Sequence, residues 1–184
     1  VTQNLMHDLR IESAVVRRRV PDSLDIDVVE RMPVATVAGD YGYMDLDRLG
    51  KVIACYRSLR NMPIPLITGV SMHDLYIGDD NQNEVVAQVL DFLQKLDTNT
   101  LNQLSEVNIA NKDAIMAYTN SSVQIRLGKL ERMDEKAKLT QDFVGNLKNS
   151  PHEIEYVDFS YTAPFIRLKN MPAEHTVEMN KDAQ

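Results

Sequence analysis

Two segments carry apolar residues at helical spacing. In "DDNQNEVVAQVLDFLQKL" Val85, Val86, Val89, Leu93 and Leu96 recur three or four positions apart, which predicts an amphipathic helix with one buried stripe. Asn81 and Glu84 stand at capping-box spacing at its start. The second segment runs from Glu131 to Lys148 and places Met133, Ala137, Thr140, Phe143, Val144 and Leu147 on one side, with Asn149-Ser150-Pro151 to end it. A shorter pattern, Leu5, Met6 and Leu9, predicts a helix within residues 2–13.

The remaining apolar positions alternate, as strands do. "AVVRRRV" is a strand, Pro21-Asp22 with Ser23 makes a turn, and "LDIDVVE" sets Leu24, Ile26 and Val28 inward with Asp25 and Asp27 outward. Two short strands surround a turn at Asp47–Gly50, and "MPIPLITGV" is extended because residues before proline avoid the helical region. Further strands fall near 106–110, 114–119 and 122–127. The stretch "YVDFSYTAPFIRLK" (Tyr156 to Lys169) reads as two strands about a bend. Val157, Phe159 and Tyr161 form an apolar row opposite Tyr156, Asp158 and Ser160. After Pro164, Ile166 and Leu168 face the core, with Phe165, Arg167 and Lys169 on the other side. Pro164 suits the start of an edge strand, where its missing N–H takes no ladder bond. From Asn170 the chain is polar and aperiodic, and a disordered tail over 170–184 is expected. This element order predicts an α+β fold with a mixed or antiparallel sheet. It divides the chain into 1–37, a helix and hairpin too small to be stable alone, then 38–169, then the tail.

At 184 residues the chain is long enough for a sizeable core in one domain or two small ones. Apolar residues make up 43% and charged residues 26%, an ordinary globular balance. The net charge of −7 argues against nucleic acid as a partner. No apolar run reaches the ~20 residues of a membrane helix, and "VTQNLMHDLR" lacks the charged start and apolar core of a signal peptide. Because the chain starts at Val1 rather than Met, a longer protein is expected, with any anchor upstream.

Candidate chemistry is sparse. The single cysteine, Cys55, excludes an internal disulfide and reads as a small buried hydrophobe. His7, His73, His152 and His175 share no metal-ligand spacing. Asp45-x-Asp47-x-x-Gly50 departs from a calcium loop at Leu49 and Tyr56, so it reads as a hairpin turn, and "DDNQNE" reads as a helix start favoured by the helix dipole. There is no P-loop, GxGxxG or GxSxG. No catalytic residue, cofactor or metal is assigned. Arg17, Arg18 and Arg19 read as a solvated strand, with ion pairs to Asp25, Asp27 or Glu30 across the hairpin.

Four stretches, in order, resemble the bacterial division proteins FtsQ/DivIB. "VVRRRVPDSLDIDVVERMPVA" is similar to the family's basic residues, proline, turn, alternating strand and Glu-Arg-x-Pro-Val-Ala, here Glu30, Arg31, Pro33, Val34 and Ala35. "MDLDRLGKVI" sits at the family's Asp-x-x-Gly hairpin, "VQIRLG" ends in its Leu-Gly at Leu127-Gly128, and "YVDFSY" resembles its Tyr-Val-Asp-Leu-Arg-Tyr. The resemblance implies that residues 1–37 are the C-terminal half of a POTRA domain and 38–169 the β domain. It further implies a non-enzymatic divisome scaffold, anchored in the cell membrane by one span outside this chain and working extracytoplasmically at the septum. Its partners would be FtsB/DivIC-type and FtsL-type proteins, with a partner strand adding to the edge formed by the last strand. On that basis Ser160, Tyr161, Phe165, Ile166, Arg167, Leu168 and Lys169 are the expected contact residues. Three positions depart from the family: Ser160 replaces an arginine, Thr162-Ala163-Pro164 replaces a glycine-containing turn, and Lys169 falls where some members carry an aromatic residue.

Two other classes compete with this reading. One is a POTRA-bearing module of secretion or outer-membrane assembly, which handles passing peptides by strand pairing. The other is an extracytoplasmic enzyme whose catalytic carboxylates meet only in space.

Overall fold

The computed structural model describes residues 2–169 and the backbone of 177–178. A short helix α1 (Thr2–Met6) leads into a hairpin of β1 (Ile11–Arg19) and β2 (Ser23–Glu30). The helix is shorter than expected, because the chain is already extended at Ile11. Arg17 and Asp27 pair at 2.8 Å across this hairpin, and Arg19 and Asp25 at 3.8 Å, as the alternation predicts. The inward assignment of Leu24, Ile26 and Val28 is corrected: they are 51%, 45% and 48% exposed. A two-stranded sheet has no second layer of its own, and β2 is exposed throughout.

A second sheet of ten strands holds the core. It contains β3 (Pro33–Gly39), β4 (Gly42–Asp47), β5 (Val52–Tyr56), β6 (Leu66–Met72), β7 (Leu104–Asn108), β8 (Ile115–Thr119), β9 (Gln124–Gly128), β10 (Ile154–Asp158), β11 (Phe165–Leu168) and β12 (Val177–Glu178). The spatial order is β12-β11-β10-β9-β8-β7-β6-β3-β4-β5. The expected boundary at 37/38 therefore falls inside β3.

The β3–β6, β6–β7 and β9–β10 pairs are parallel and the others antiparallel. Parallel neighbours need a crossover, and helices supply two of them. Helix α2 (Glu84–Gln94), with the one-turn α3 (Thr98–Leu101), links β6 to β7, and α4 (Met133–Leu147) links β9 to β10. α2 and α3 both touch α4, so the helices cover one face of the sheet. The other face carries no helix among the described residues.

Helix α2 buries Val86, Val89, Leu90, Phe92 and Leu93, close to the expected stripe but rotated toward Leu90 and Phe92. Its cap is Asn83 rather than Asn81: the Asn83 side-chain oxygen accepts from the backbone N–H of Val85 and Val86. Asn81 instead holds Asn83, accepting from its N–H at 2.9 Å. Helix α4 buries Ala137, Thr140, Phe143 and Val144 as expected, and Lys136 besides. Fully buried Phe92, Phe159, Ile67, Ile115 and Ile125 lie between these helices and the strands. Cys55, expected to be buried, is exposed on β5 near the far end of the sheet.

Candidate functional site

The last three strands build the site from the expected residues. Strand β10 pairs in parallel with β9 and antiparallel with β11, in the register Tyr156↔Arg167, Val157↔Ile166 and Asp158↔Phe165. Because side chains alternate along β11, Ile166 and Leu168 pack against the core while Phe165 and Arg167 take the opposite side. The sheet thus divides the expected contact residues between its two faces.

On the helix-free face a cluster spans four strands. The Arg126 guanidinium carbon lies 3.6 Å from the centre of the Tyr156 ring, an arrangement in which the ring's negative face attracts the cation. Arg126 also donates to Gln124 Oε1 at 3.0 Å, and Gln124 donates to the Tyr118 hydroxyl at 3.2 Å. Tyr156 meets Phe165 edge-on with centroids 6.0 Å apart, and Phe165 meets Tyr161 at the same separation. Tyr161 is 62% exposed, so its place in the expected apolar row is corrected: the chain has left β10 and turns here. Val157 and Phe159 of that row are buried.

The turn between β10 and β11 is fixed from below. Asp158, expected on the mixed face, is buried, and its Oδ1 accepts from the Ser160 N–H at 2.9 Å and from the Ser160 hydroxyl at 2.5 Å. Arg167 lies 3.7 Å from Glu155 and Lys169 lies 3.9 Å from Glu153, so both cations stand beside carboxylates of β10 or its approach. On the helix side a groove of about 330 Å³ opens beside Ile166, between Phe143, Asn146 and Leu147 of α4 and Ile154.

Strand β11 is not the outermost element. The two residues of β12 pair antiparallel with it, Phe165↔Glu178 and Ile166↔Val177. Apart from these two residues, the expected tail lies outside the described residues. The four-residue β11 is thus covered over half its length by the chain itself.

Sequence reasoning missed Arg126, Lys136 and Asp158 as members of this region. Arg126 and Asp158 lie within quoted motifs, but only strand pairing places them beside Phe165 and Ser160. Lys136 gives no signal, since a lysine on an amphipathic helix reads as solvated. No group of three or more His, Cys, Asp or Glu side chains suited to a metal occurs among the described residues. Asp47 and Asp45, the faint calcium pattern, serve the hairpin: Asp47 Oδ1 accepts from the N–H groups of Leu49 and Lys51, and Asp45 Oδ1 accepts from the Thr36 hydroxyl.

Sequence comparison with known proteins identifies relatives of this chain. The chain is 30% identical over 160 residues to the cell division protein FtsQ of Syntrophotalea carbinolica, covering 85% of this chain and 56% of the relative. It is 24% identical over 143 residues to DivIB of Clostridium tetani, covering 74% and 52%. The chain therefore spans a little over half the length of these relatives. A solved structure, the major extracytoplasmic domain of the trans isomer of DivIB from Geobacillus stearothermophilus, aligns with a TM-score of 0.45 at 14% identity, over 66% of this chain and 98% of that one. The family profile described as "Cell division protein FtsQ/DivIB, C-terminal" matches residues 35–160, which spans β3 to β10 and ends at Ser160, just before Tyr161. With more than half of its length matched, the chain belongs to the FtsQ/DivIB family of cell division proteins.

Proposed function

We propose that this chain is the partner-binding part of a non-enzymatic scaffold of the bacterial divisome. It docks FtsB/DivIC-type proteins, and through them FtsL-type proteins, by adding a partner strand beside β11. The rest of the protein supplies a single membrane anchor, and the region works on the extracytoplasmic side at the septum. Among the described residues no helix is long and apolar enough to cross a membrane, so the anchor would lie elsewhere.

The observation that carries this reading is the position of β11. It is four residues long, lies one place from the end of the sheet, and already accepts a strand, since Val177–Glu178 pair along half of it. A partner segment that extends or replaces this short ladder gains main-chain hydrogen bonds, and its alternate side chains select it. One row of those side chains meets Phe165, Tyr161 and Arg167 on the helix-free face. The other row meets the groove beside Ile166 and α4. Lys169 and Ser160 flank the two ends of this stretch.

Amide hydrogen exchange with and without an FtsB/DivIC-type extracytoplasmic segment tests the reading. New protection is expected at residues 165–168. Protection confined to the opposite edge, β5, with 165–168 unchanged, would assign the interface elsewhere.

A further inference from the structure

We propose that Lys136 is a positioning residue for the Tyr161 turn: its buried ammonium fixes the loop between β9 and α4, and that loop in turn holds the turn between β10 and β11. This inference rests on the reading of Tyr161 and β11 as the partner site.

Lys136 lies in the first turns of α4 and is 2% exposed, an unusual place for a lysine. Its Nζ donates to the backbone carbonyl of Lys129 at 2.6 Å. A methionine could fill similar volume without the cost of taking an ammonium out of water. The feature the ammonium supplies, and an apolar side chain lacks, is a charged donor to the loop backbone.

The loop it holds is shaped by two left-handed residues, Gly128 at φ +65° and Arg132 at φ +53°. Arg132 occupies the N-cap position of α4 but makes no side-chain cap bond, so the start of α4 lacks the usual anchor there. The loop then meets the Tyr161 turn at two points. At Gly128 the backbones approach so closely that a Cβ would lie 2.6 Å from the Ser160 Cβ. At Arg132 the guanidinium donates to the Tyr161 carbonyl at 3.2 Å. A cleft of about 260 Å³ lies between loop and turn, lined by Lys136, Arg132, Gly128, Ser160 and Tyr161 among others. Movement of the Lys129 carbonyl is thus passed to Ser160 by contact and to Tyr161 by a hydrogen bond. Lys136 itself is buried beneath, where it acts on a partner only through these groups.

The test compares the 184-residue chain with its Lys136→Met and Lys136→Arg variants. Backbone exchange is read at residues 160–162 and in the β7–β9 core, and binding is measured to an FtsB/DivIC-type extracytoplasmic segment. For Lys136→Met we expect faster exchange confined to 160–162 and roughly tenfold weaker binding, with Lys136→Arg less affected on both. Unchanged exchange at 160–162, or an equal rise across β7–β9, would overturn the positioning role. So would parent-like binding by a folded Lys136→Met variant. Should Lys136→Met not fold, Lys136→Gln, which removes the charge but keeps a polar side chain, is read by the same local exchange criterion. A parent chain that binds no such segment would sink the interface reading, while exchange at 160–162 would still decide the role of Lys136.

Discussion

Arg31 and Asp47 form a buried ion pair, with side chains 9% and 2% exposed, where the N-terminal hairpin meets the ten-stranded sheet. Arg31 Nε also donates to the Leu9 carbonyl at 3.0 Å, while Asp47 organises the β4–β5 turn through the N–H groups of Leu49 and Lys51. One guanidinium thus ties the start of the hairpin unit to a turn of the sheet. Removing one member of a buried pair leaves the other charge unpaired, which costs about 3–5 kcal/mol. Arg31→Met should lower unfolding free energy in urea by about that amount and loosen Leu9 to Ile11 in hydrogen exchange. A change below about 1 kcal/mol would show the pair to be solvated.

The hairpin itself should be less stable than the centre of the ten-stranded sheet. Its β2 strand is exposed over its whole length, whereas β7, β8 and β9 each bury two or three residues. Amides at 13–29 should therefore exchange faster than those at 104–128. Equal protection would mean that the hairpin unfolds only with the sheet.

The Lys136 ammonium gives a pH dependence of known sign. Burial, and then the nearby Arg132, push its pKa below the ordinary lysine value of 10.5, against the opposing pull of Glu131, Glu135 and Asp158. In the window between the lowered folded value and 10.5 the unfolded chain binds more protons, so this group's contribution to stability rises with pH. The stability of the parent relative to Lys136→Met should therefore increase as pH rises through that window. A difference that is flat or falls with pH would contradict the burial.

Thr140 makes the opposite kind of prediction. It is fully buried in α4, and its hydroxyl has no hydrogen-bond partner among the described residues. Thr140→Val keeps the shape and removes the unsatisfied group, so it should be neutral or stabilise by up to about 1 kcal/mol. Destabilisation by more than that in thermal unfolding would reveal a hydroxyl contact.

The two main helices, the hairpin ion pairs and the facing of Ile166 and Leu168 against Phe165 and Arg167 were legible in the sequence, because each depends on local periodicity. Burial of the hairpin was not. Alternation specifies two faces but not whether anything covers them, and Leu24, Ile26 and Val28 remain exposed. Cys55 failed for a related reason, since composition gives the typical burial of a residue type and not its place at a sheet end. The capping residue of α2 was misplaced by two positions, because Asn81 and Asn83 offer the same side chain and only the turn geometry separates them. Lys136, Arg126 and Asp158 acquire their roles from contacts between β9, β10 and α4 that lie far apart in sequence.

The most direct measurement is partner binding by the chain carrying both Phe165→Glu and Arg167→Glu. Both side chains sit on the helix-free side of β11, away from the core, so circular dichroism should show an intact fold. The double variant places carboxylates in the aromatic cluster with Tyr156 and Tyr161 and reverses the charge beside Glu155. Affinity for an FtsB/DivIC-type extracytoplasmic segment, measured by titration calorimetry, should fall at least about a hundredfold, the effect of losing about 2.7 kcal/mol at an interface centre. Undiminished affinity of the folded double variant would contradict strand addition at β11.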